Sequence, residues 1–147
     1  MEIRLFTNED LQQCTETFVE VFDGEPWNDN WTCERASQYL SDFIDTPGFK
    51  GIIAAEEGIV IGFLFGIRKR WWSGDEFFIH EMCVRLEYQR KGTGKRLLEF
   101  LRNELADNNI SSLSLLTDRG IPAERFYLKN GFKEIERLVF LSKNVHS

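Results

Sequence analysis

The sequence predicts an α/β fold built on a mixed sheet, with elements in the order β-α-α-β-β-β-α-β-α-β-β. Short apolar or alternating segments, typical of strands, are separated by segments in which apolar residues recur at helical spacing. The long apolar segment 59–68 is typical of a central strand. A helix between the strands at 76–84 and 111–117 makes them parallel, because parallel neighbours need a crossover. The length of 147 residues suits one domain, 1–147, with a hydrophobic core of its own.

The first strand and helix are predicted from alternation and capping. Residues 2–6 alternate between polar and apolar side chains, as expected for a strand. Thr7 and Asp10 have the spacing of a capping box, which predicts a helix that continues to about Phe22. The segment 23–31 contains Gly, Pro and Asn and is predicted to be a loop.

The rest of the chain alternates between strands and helices. Gly62 and Gly66 lie on one face of the central strand, which leaves room for another group to pack closely. A second helix is predicted to start at Thr32 and to be stopped by residues 46–48. A hairpin of strands 51–56 and 59–68, a tip at 69–75 and the strand 76–84 follow. The remaining predictions are a helix from about Thr93 that ends at Asn108 and Asn109, the strand 111–117, a short helix 123–129 stopped at Asn130 and Gly131, and one or two last strands in 132–142.

The turn after strand 76–84 has the features of an anion site. A helix that starts at about Thr93 leaves its first backbone N–H groups without intrahelical partners, and its dipole is positive at that end. Gly92 and Gly94 allow a ligand close to the backbone. Neither a Walker loop nor a dinucleotide fingerprint is present, since Arg96 and Leu97 stand where those motifs need other residues. The turn therefore predicts a phosphate or pyrophosphate site at a helix N-terminus.

Two segments resemble the GCN5-related N-acetyltransferase (GNAT) family. Residues 89–94, QRKGTG, resemble its Q/R-x-x-G-x-G/A signature, and residues 123–132, AERFYLKNGF, resemble its A-x-x-F-Y-x-K-x-G-F segment. The two motifs come in the family's order and at its separation. The resemblance implies a mostly antiparallel central sheet of six to seven strands, helices on both faces, and a splayed parallel strand pair at the cofactor site.

The same resemblance implies acetyl-CoA as co-substrate, and no metal. Main-chain groups of the first splayed strand would pair with the pantetheine arm, and the following turn would hold the pyrophosphate. Tyr127 matches the tyrosine that donates to the coenzyme A sulfur, although a core aromatic is the alternative reading. The residues expected to bind the cofactor are Met82, Cys83, Val84, Gln89, Arg90, Lys91, Gly92, Thr93, Gly94, Lys95 and Tyr127.

Transfer to an amine needs a base, because most aliphatic amines are protonated at neutral pH. His80 is the first candidate, because its ordinary pKa suits a base near neutrality and the resemblance implies a His or Glu at its position. Strand alternation puts His80 on one face with Met82 and Val84, and Glu81 on the other. Glu81 is the second candidate, and a bulge would let both residues reach the cleft. A packed histidine and a salt-bridged glutamate are the structural alternatives.

Two residues are less informative. Gly120 stands where the family often has Asn, so Asp118 or Arg119 would have to replace that contact. Cys83 could in principle carry an acyl group, but a small buried thiol is the better interpretation.

The acceptor pocket is predicted around two loops that combine aromatic and acidic side chains, namely Glu25, Trp27, Asp29 and Trp31 in one and Trp71, Trp72, Asp75 and Glu76 in the other. Glu25, Trp27, Trp31 and Trp72 are the principal substrate candidates; the alternative is that the tryptophans belong to the core. Such a pocket suits a small cationic amine. The first loop resembles aminoglycoside 6′-N-acetyltransferase-like members of the family. The other functions left open are a peptide or protein N-acetyltransferase and a non-catalytic coenzyme A-binding sensor.

Composition narrows the partners. A net charge of −6 argues against a general nucleic-acid binder, and no apolar run approaches the ~20 residues that cross a bilayer. Three cysteines without metal spacing suggest reduced thiols and a cytoplasmic location. Leu138 and Phe140 in the last predicted strand could pair across a homodimer interface.

Overall fold

The computed structural model describes residues 1–106 and 109–146. The predicted helix end at Asn108 therefore lies outside the described residues. The chain divides into two compact units, Met1–Leu116 and Thr117–Ser147, and each is described by itself.

The first unit contains one five-stranded sheet in the order β1-β2-β3-β4-β5. Successive strands from β1 to β4 pair antiparallel, and β4 pairs parallel with β5. The elements of this unit are β1 (Glu2–Leu5), α1 (Leu11–Phe22), α2 (Cys33–Ile44), β2 (Phe49–Glu56), β3 (Ile59–Lys69), β4 (Asp75–Val84), α3 (Thr93–Leu105) and β5 (Ile110–Leu115). The predicted mixed α/β fold and its parallel pair are confirmed, with strand ends within two residues of those expected, whereas the expected count of six to seven strands is wrong for the described residues, which form five.

The predicted helix starts are present in the structure. Thr7 and Asp10 form a capping box before α1, and Asp10 also holds the Arg4 guanidinium at 2.8 Å. At the start of α2, the backbone N–H of Arg35 donates to Thr32 Oγ1 at 3.0 Å. Both helices thus begin where a side chain satisfies an otherwise unpaired N–H group.

Helices cover both faces of the sheet. On one face, α1 and α2 pack against the sheet through buried side chains such as Phe18, Leu40 and Phe65. The other face is covered by α3. Gly66 follows Phe65 in β3 and therefore faces the opposite side, and its register partner Lys50 forms an ion pair with Glu104 of α3 at 3.1 Å. The sheet is therefore buried on both sides, as its long apolar strands predict.

The second unit contains α4 (Pro122–Lys129), which begins with proline and ends before Gly131 at a φ of +94°. The predicted helix stop is therefore confirmed. The prediction of one or two strands in 132–142 is wrong: the described residues form five strands, and this segment is irregular with a turn from Ile135 to Leu138. An apolar alternation becomes a strand only where a neighbouring strand supplies hydrogen bonds, and none pairs with this segment among the described residues. Leu141 is accordingly 84% exposed.

Within residues 1–106 and 109–146, no helix combines the length and the apolar character needed to span a membrane.

Candidate active site

The parallel strands β4 and β5 diverge along their length. Their pairing runs from Asp75 opposite Ile110 to Ile79 opposite Leu115, whereas β4 continues to Val84. Over its last five residues β4 has no partner on the β5 side in the described part of the chain. The splayed pair that the motif resemblance implied is thus present, and it leaves a gap at the carboxyl end of β4.

Main-chain groups of β4 point into this gap. The backbone N–H of Arg85 donates to the Ile61 carbonyl at 2.7 Å, so Arg85 faces β3. Because neighbouring residues of a strand direct their N–H and C=O groups to opposite edges, Cys83 also faces β3, and Val84 and Met82 face the gap. Two of the three predicted pantetheine residues therefore offer main-chain groups there.

The turn that follows β4 ends in an open helix N-terminus. Gly92 caps α3 with a φ of +85°, and the first hydrogen bond of the helix runs from the Arg96 N–H to the Gly92 carbonyl at 3.0 Å. The N–H groups of Thr93, Gly94 and Lys95 precede that bond and have no place in the helix ladder. No atom lies within 4 Å of where a Cβ on Gly92 would be, so a ligand can approach the backbone.

The side chains of this turn divide into two groups. Gln89 is a tether, since its Nε2 donates to the Val84 carbonyl at 2.8 Å, and Thr93 is buried. The cationic side chains are exposed and surround the helix start: Arg90, Lys91, Lys95 and Arg96. The predicted anion site therefore consists of backbone N–H groups with exposed positive charges around them.

A bulge in β4 corrects the predicted alternation. Phe65 pairs with Glu81 and the next residue of β3, Gly66, pairs with Ile79, so His80 is the extra residue. One extra residue shifts the two-residue period, and the prediction that His80 and Glu81 lie on opposite faces is wrong. Both side chains contact α2: Glu81 bonds Tyr39, and His80 packs on Phe43.

Glu81 is a partly buried carboxyl group with one short hydrogen bond. Tyr39 Oη donates to its Oε2 at 2.5 Å. Burial disfavours the charged form and raises the pKa of Glu81 to about 7; the Tyr39 hydrogen bond opposes this rise, and the negative charge of Asp29 adds to it. The pKa of Tyr39 is also raised, by burial and by its contact with Glu81. A carboxyl group near neutrality can exchange protons at physiological pH.

His80 lies in a different environment. Its side chain is exposed, and its ring stands 4.8 Å from that of Phe43 and 4.6 Å from that of Phe78. Partial burial between these rings, followed by the charge of Lys69, lowers the pKa of His80. The imidazole is therefore neutral at physiological pH.

The loop between α1 and α2 is held against this region. The Trp31 N–H donates to Asp23 Oδ1 at 2.9 Å, and its indole Nε1 donates to Asp29 Oδ2 at 3.0 Å. The Trp31 ring lies 5.2 Å from that of Tyr39, and Trp27 lies 4.8 Å from Phe22. Both tryptophans are half-buried against the core, so they have the structural role that was the alternative to substrate binding. Of the two, Trp31 is the one that lies beside Tyr39.

The other predicted substrate residues lie in different settings. Glu25 is exposed in the same loop, and Trp72 is 88% exposed at the tip between β3 and β4. Asp75 is the first residue of β4 and forms an ion pair with Arg68 at 2.7 Å, so its charge is already matched.

Tyr39 was missed as a site residue in the sequence. No motif in the sequence connects it with Glu81, 42 residues later. The sole signal was a hydroxyl on an otherwise apolar helix face, which needs a polar partner when buried.

The second unit carries the other motif. The Tyr127 ring packs at 5.3 Å from Phe126 and 5.5 Å from Phe132, and its role as proton donor stays a prediction. Arg119, one candidate to replace the missing Asn, is paired with Glu134 at 2.7 Å. Gly120 has a φ of +82° and donates its N–H to Glu124.

Cys83 is buried, and burial raises the pKa of its thiol well above the ordinary range. This environment suits a structural thiol and disfavours an acyl-cysteine route. No group of three or more His, Cys, Asp or Glu side chains in the part of the chain that the structure describes could hold a metal ion.

Comparison with known proteins identifies the kind of domain. The family model described as “Acetyltransferase (GNAT) domain” matches residues 47–134, more than half of the chain. A search of curated proteins found no match.

Solved structures share the whole fold at low identity. A possible acetyltransferase from Clostridium difficile 630 has a TM-score of 0.83 at 19% identity, with 99% of this chain and 98% of that chain covered. An aminoglycoside acetyltransferase from an uncultured soil metagenomic sample, in complex with sisomicin, has a TM-score of 0.77 at 18% identity, covering 98% and 95%. An aminoglycoside N-acetyltransferase in complex with CoA has a TM-score of 0.76 at 16% identity, covering 97% and 93%.

Proposed function

Because the chain belongs to the GNAT family of acetyltransferases, we propose that it transfers an acetyl group directly from acetyl-CoA to a primary amine of a small cationic molecule. Family membership makes the protein an acyltransferase with acetyl-CoA as the donor. The observation that supports the finer proposal is the Glu81 carboxyl group, which belongs to the part of β4 beyond its pairing with β5 and whose pKa of about 7 suits a proton acceptor near neutrality.

The described residues fit the donor. Met82 and Val84 direct main-chain groups into the gap between the splayed strands, where an extended arm would pair with them. The N–H groups at the start of α3 and the exposed cations of the turn suit a pyrophosphate. The bound thioester supplies an electrophilic carbonyl carbon and a thiolate leaving group.

We assign proton removal from the amine to Glu81. An ammonium group cannot attack a carbonyl carbon until it loses a proton. Glu81 supports this role better than His80, because it is partly buried and its pKa is raised to about 7, whereas His80 is exposed and its pKa is lowered. Tyr127 stays the proposed proton donor to the thiolate on the strength of its motif alone.

The acceptor side combines acidic and aromatic groups. Asp29 acts on Glu81 electrostatically, and the ring of Trp31 lies 5.2 Å from that of Tyr39, whose hydroxyl bonds Glu81. Carboxylates and aromatic faces both attract cations. The aminoglycoside acetyltransferases with the same fold support a cationic amine as the acceptor class. Glu25, Trp27 and Trp72 complete the proposed substrate surface.

An amine panel tests the proposed reaction. Purified protein with acetyl-CoA is mixed with aminoglycosides, polyamines or lysine-containing peptides, and free thiol release is followed. We expect release with small cationic amines. Release with peptides alone would instead make the protein a peptide acetyltransferase, and tight acetyl-CoA binding without release from any amine would make it a sensor.

Two matched variants test the base. Glu81→Gln keeps an acceptor for Tyr39 but cannot take a proton, and we expect a loss of roughly 10²–10⁴-fold in kcat. His80→Phe keeps the ring packing between Phe43 and Phe78 and should leave kcat within about threefold. The reverse pattern would assign the base to His80.

We also propose a cytoplasmic homodimer. The three cysteines are free, including the exposed Cys33, which suits a reducing compartment. Leu138 and Phe140 are exposed apolar residues of the kind that dimer interfaces cover. Light scattering of the wild-type protein and a Leu138→Lys/Phe140→Lys variant tests the assembly, and a wild-type monomer would refute it.

A further inference from the structure

The Tyr39 side chain is fixed by its surroundings on α2. Its ring lies 5.7 Å from that of Phe18, 5.2 Å from Trp31 and 4.9 Å from Phe43. Aromatic contacts on several sides restrict the ring to one rotamer. The hydroxyl is therefore held in one place, at 2.5 Å from Glu81 Oε2.

We propose that Tyr39 is a positioning residue for Glu81: it holds Oε2 so that Oε1 is the oxygen that receives the amine proton. This inference rests on the proposed function of Glu81 as the base. It adds a residue 42 positions away in the sequence to the machinery of the reaction.

The two oxygens of the carboxyl group differ. Within the described residues, its hydrogen bond is made by Oε2 alone. No buried side-chain oxygen in that same part of the chain lacks a hydrogen-bond partner, so Oε1 has contact with solvent. A carboxyl group with one anchored and one accessible oxygen presents a single, oriented acceptor.

Among the groups that act on Glu81, Tyr39 is the one that favours the charged form of the carboxyl group. Asp29 from the α1–α2 loop raises the pKa of Glu81, as burial does, and the Tyr39 hydrogen bond lowers it. The neighbouring thiols are Cys83 on the same strand and Cys14 on α1, both buried and neutral at physiological pH. His80, next in sequence, is neutral at that pH. Tyr39 thus keeps the base ionised at a lower pH than its burial alone would allow.

Tyr39→Phe is the direct test, since phenylalanine keeps the packed ring and removes only the hydroxyl. The pKa of Glu81 should rise by about one unit. The acidic limb of the kcat/KM–pH profile should therefore move about one unit toward higher pH, with about tenfold lower kcat/KM at pH 6 and recovery above pH 9. A profile that superimposes on that of the wild type overturns the inference.

Two further variants separate positioning from packing. Phe18→Leu removes a neighbour of the Tyr39 ring and should lower Tm without moving the limb. If Phe18→Leu shifts the acidic limb of the kcat/KM–pH profile as far as Tyr39→Phe does, the shift is caused by lost packing, and the positioning role is refuted. The hydroxyl should also have no effect once the base is gone, so Tyr39→Phe/Glu81→Gln should match Glu81→Gln alone.

A readout without catalysis keeps the inference separate from the proposed function. In ¹³C-labelled protein, the Glu81 carboxyl signal, assigned by its loss in Glu81→Gln, can be titrated by NMR. Its midpoint should rise by about one pH unit in Tyr39→Phe, even if no tested amine is acetylated. An unchanged midpoint overturns the inference, and thiol release decides the proposed function independently.

Discussion

A methyl group on Gly66 would lie 2.3 Å from Cε1 of Phe77, a ring with no exposed surface. The ring of Phe77 on β4 therefore occupies the space that a side chain at Gly66 on β3 would need. Gly66 pairs with Ile79, next to the bulge at His80. The contact therefore anchors the register between β3 and β4, on which the positions of the site residues depend. The glycines of the central strand predicted that another group packs closely against it, and at Gly66 that group is the Phe77 ring.

Gly66→Ala should lower the free energy of unfolding by at least about 2 kcal/mol, because both the ring and the Phe78 carbonyl would have to move. Urea denaturation followed by tryptophan fluorescence measures the change. Gly24→Ala is the matched control, since its Cβ would meet only ordinary contacts at 3.4 Å. Equal effects of the two substitutions would contradict the proposed anchoring.

Gln89→Ala should weaken acetyl-CoA binding about fivefold, because the hydrogen bond of about 1 kcal/mol that ties the turn to the Val84 carbonyl is lost. Isothermal titration calorimetry measures the affinity. Gln12→Ala loses only an exposed bond to Glu16 on the same helix and should leave the affinity unchanged. A wild-type affinity in Gln89→Ala would mean that the tether does not organise the turn.

Glu81→Gln should make the protein more stable in alkaline solution. The pKa of this carboxyl group rises from its ordinary 4.5 to about 7 on folding. Stability from this group is thus fully present below about pH 4.5 and is lost as the pH rises through 7. A neutral amide avoids that loss, so the variant should exceed the wild type by about 3 kcal/mol at pH 8 and by little at pH 4.5. An advantage at pH 4.5 that disappears at pH 8 would contradict this assignment.

Asp10→Asn should have the opposite dependence on pH. The Arg4 hydrogen bonds and the Thr7 N–H lower the pKa of Asp10 below its ordinary 3.8. Stability from this group is present above pH 3.8 and is lost as the pH falls through the lower folded value. We expect a loss of about 2 kcal/mol at pH 7 in urea denaturation, which shrinks as the pH falls below the ordinary pKa of 3.8. Asp42→Asn, at an exposed position, is the control and should change stability by less than about 0.5 kcal/mol.

Local features were predicted well because their causes lie within a few residues. The capping box at Thr7 and the cap at Thr32 each depend on a side chain three residues from its partner. The start of α3 at Thr93 and the helix stop at Gly131 likewise follow from glycine and nearby residues. The order of elements then limited the possible topologies, and the parallel pair followed from its crossover helix.

Features that depend on distant partners could not be located from the sequence, although a bulge in β4 was one of the alternatives it left open. The bulge at His80 is a property of the pairing between β3 and β4, so alternation along β4 alone could not place it. The bond from Tyr39 to Glu81 joins two elements that no motif connects. The apolar alternation in 132–142 resembled a strand, yet it has no partner among the described residues.

The sequence by itself determined the α/β fold class, the acetyltransferase family and the turn that suits a pyrophosphate, because these depend on composition, local spacing and motif order. Only the tertiary structure set the different environments of His80 and Glu81, and with them the directions in which their pKa values shift. Burial, the Tyr39 hydroxyl and the charge of Asp29 set the pKa of Glu81, and folding brings these groups together from separate parts of the chain. Chemical reactivity depends on that environment, and the residue type alone does not specify it.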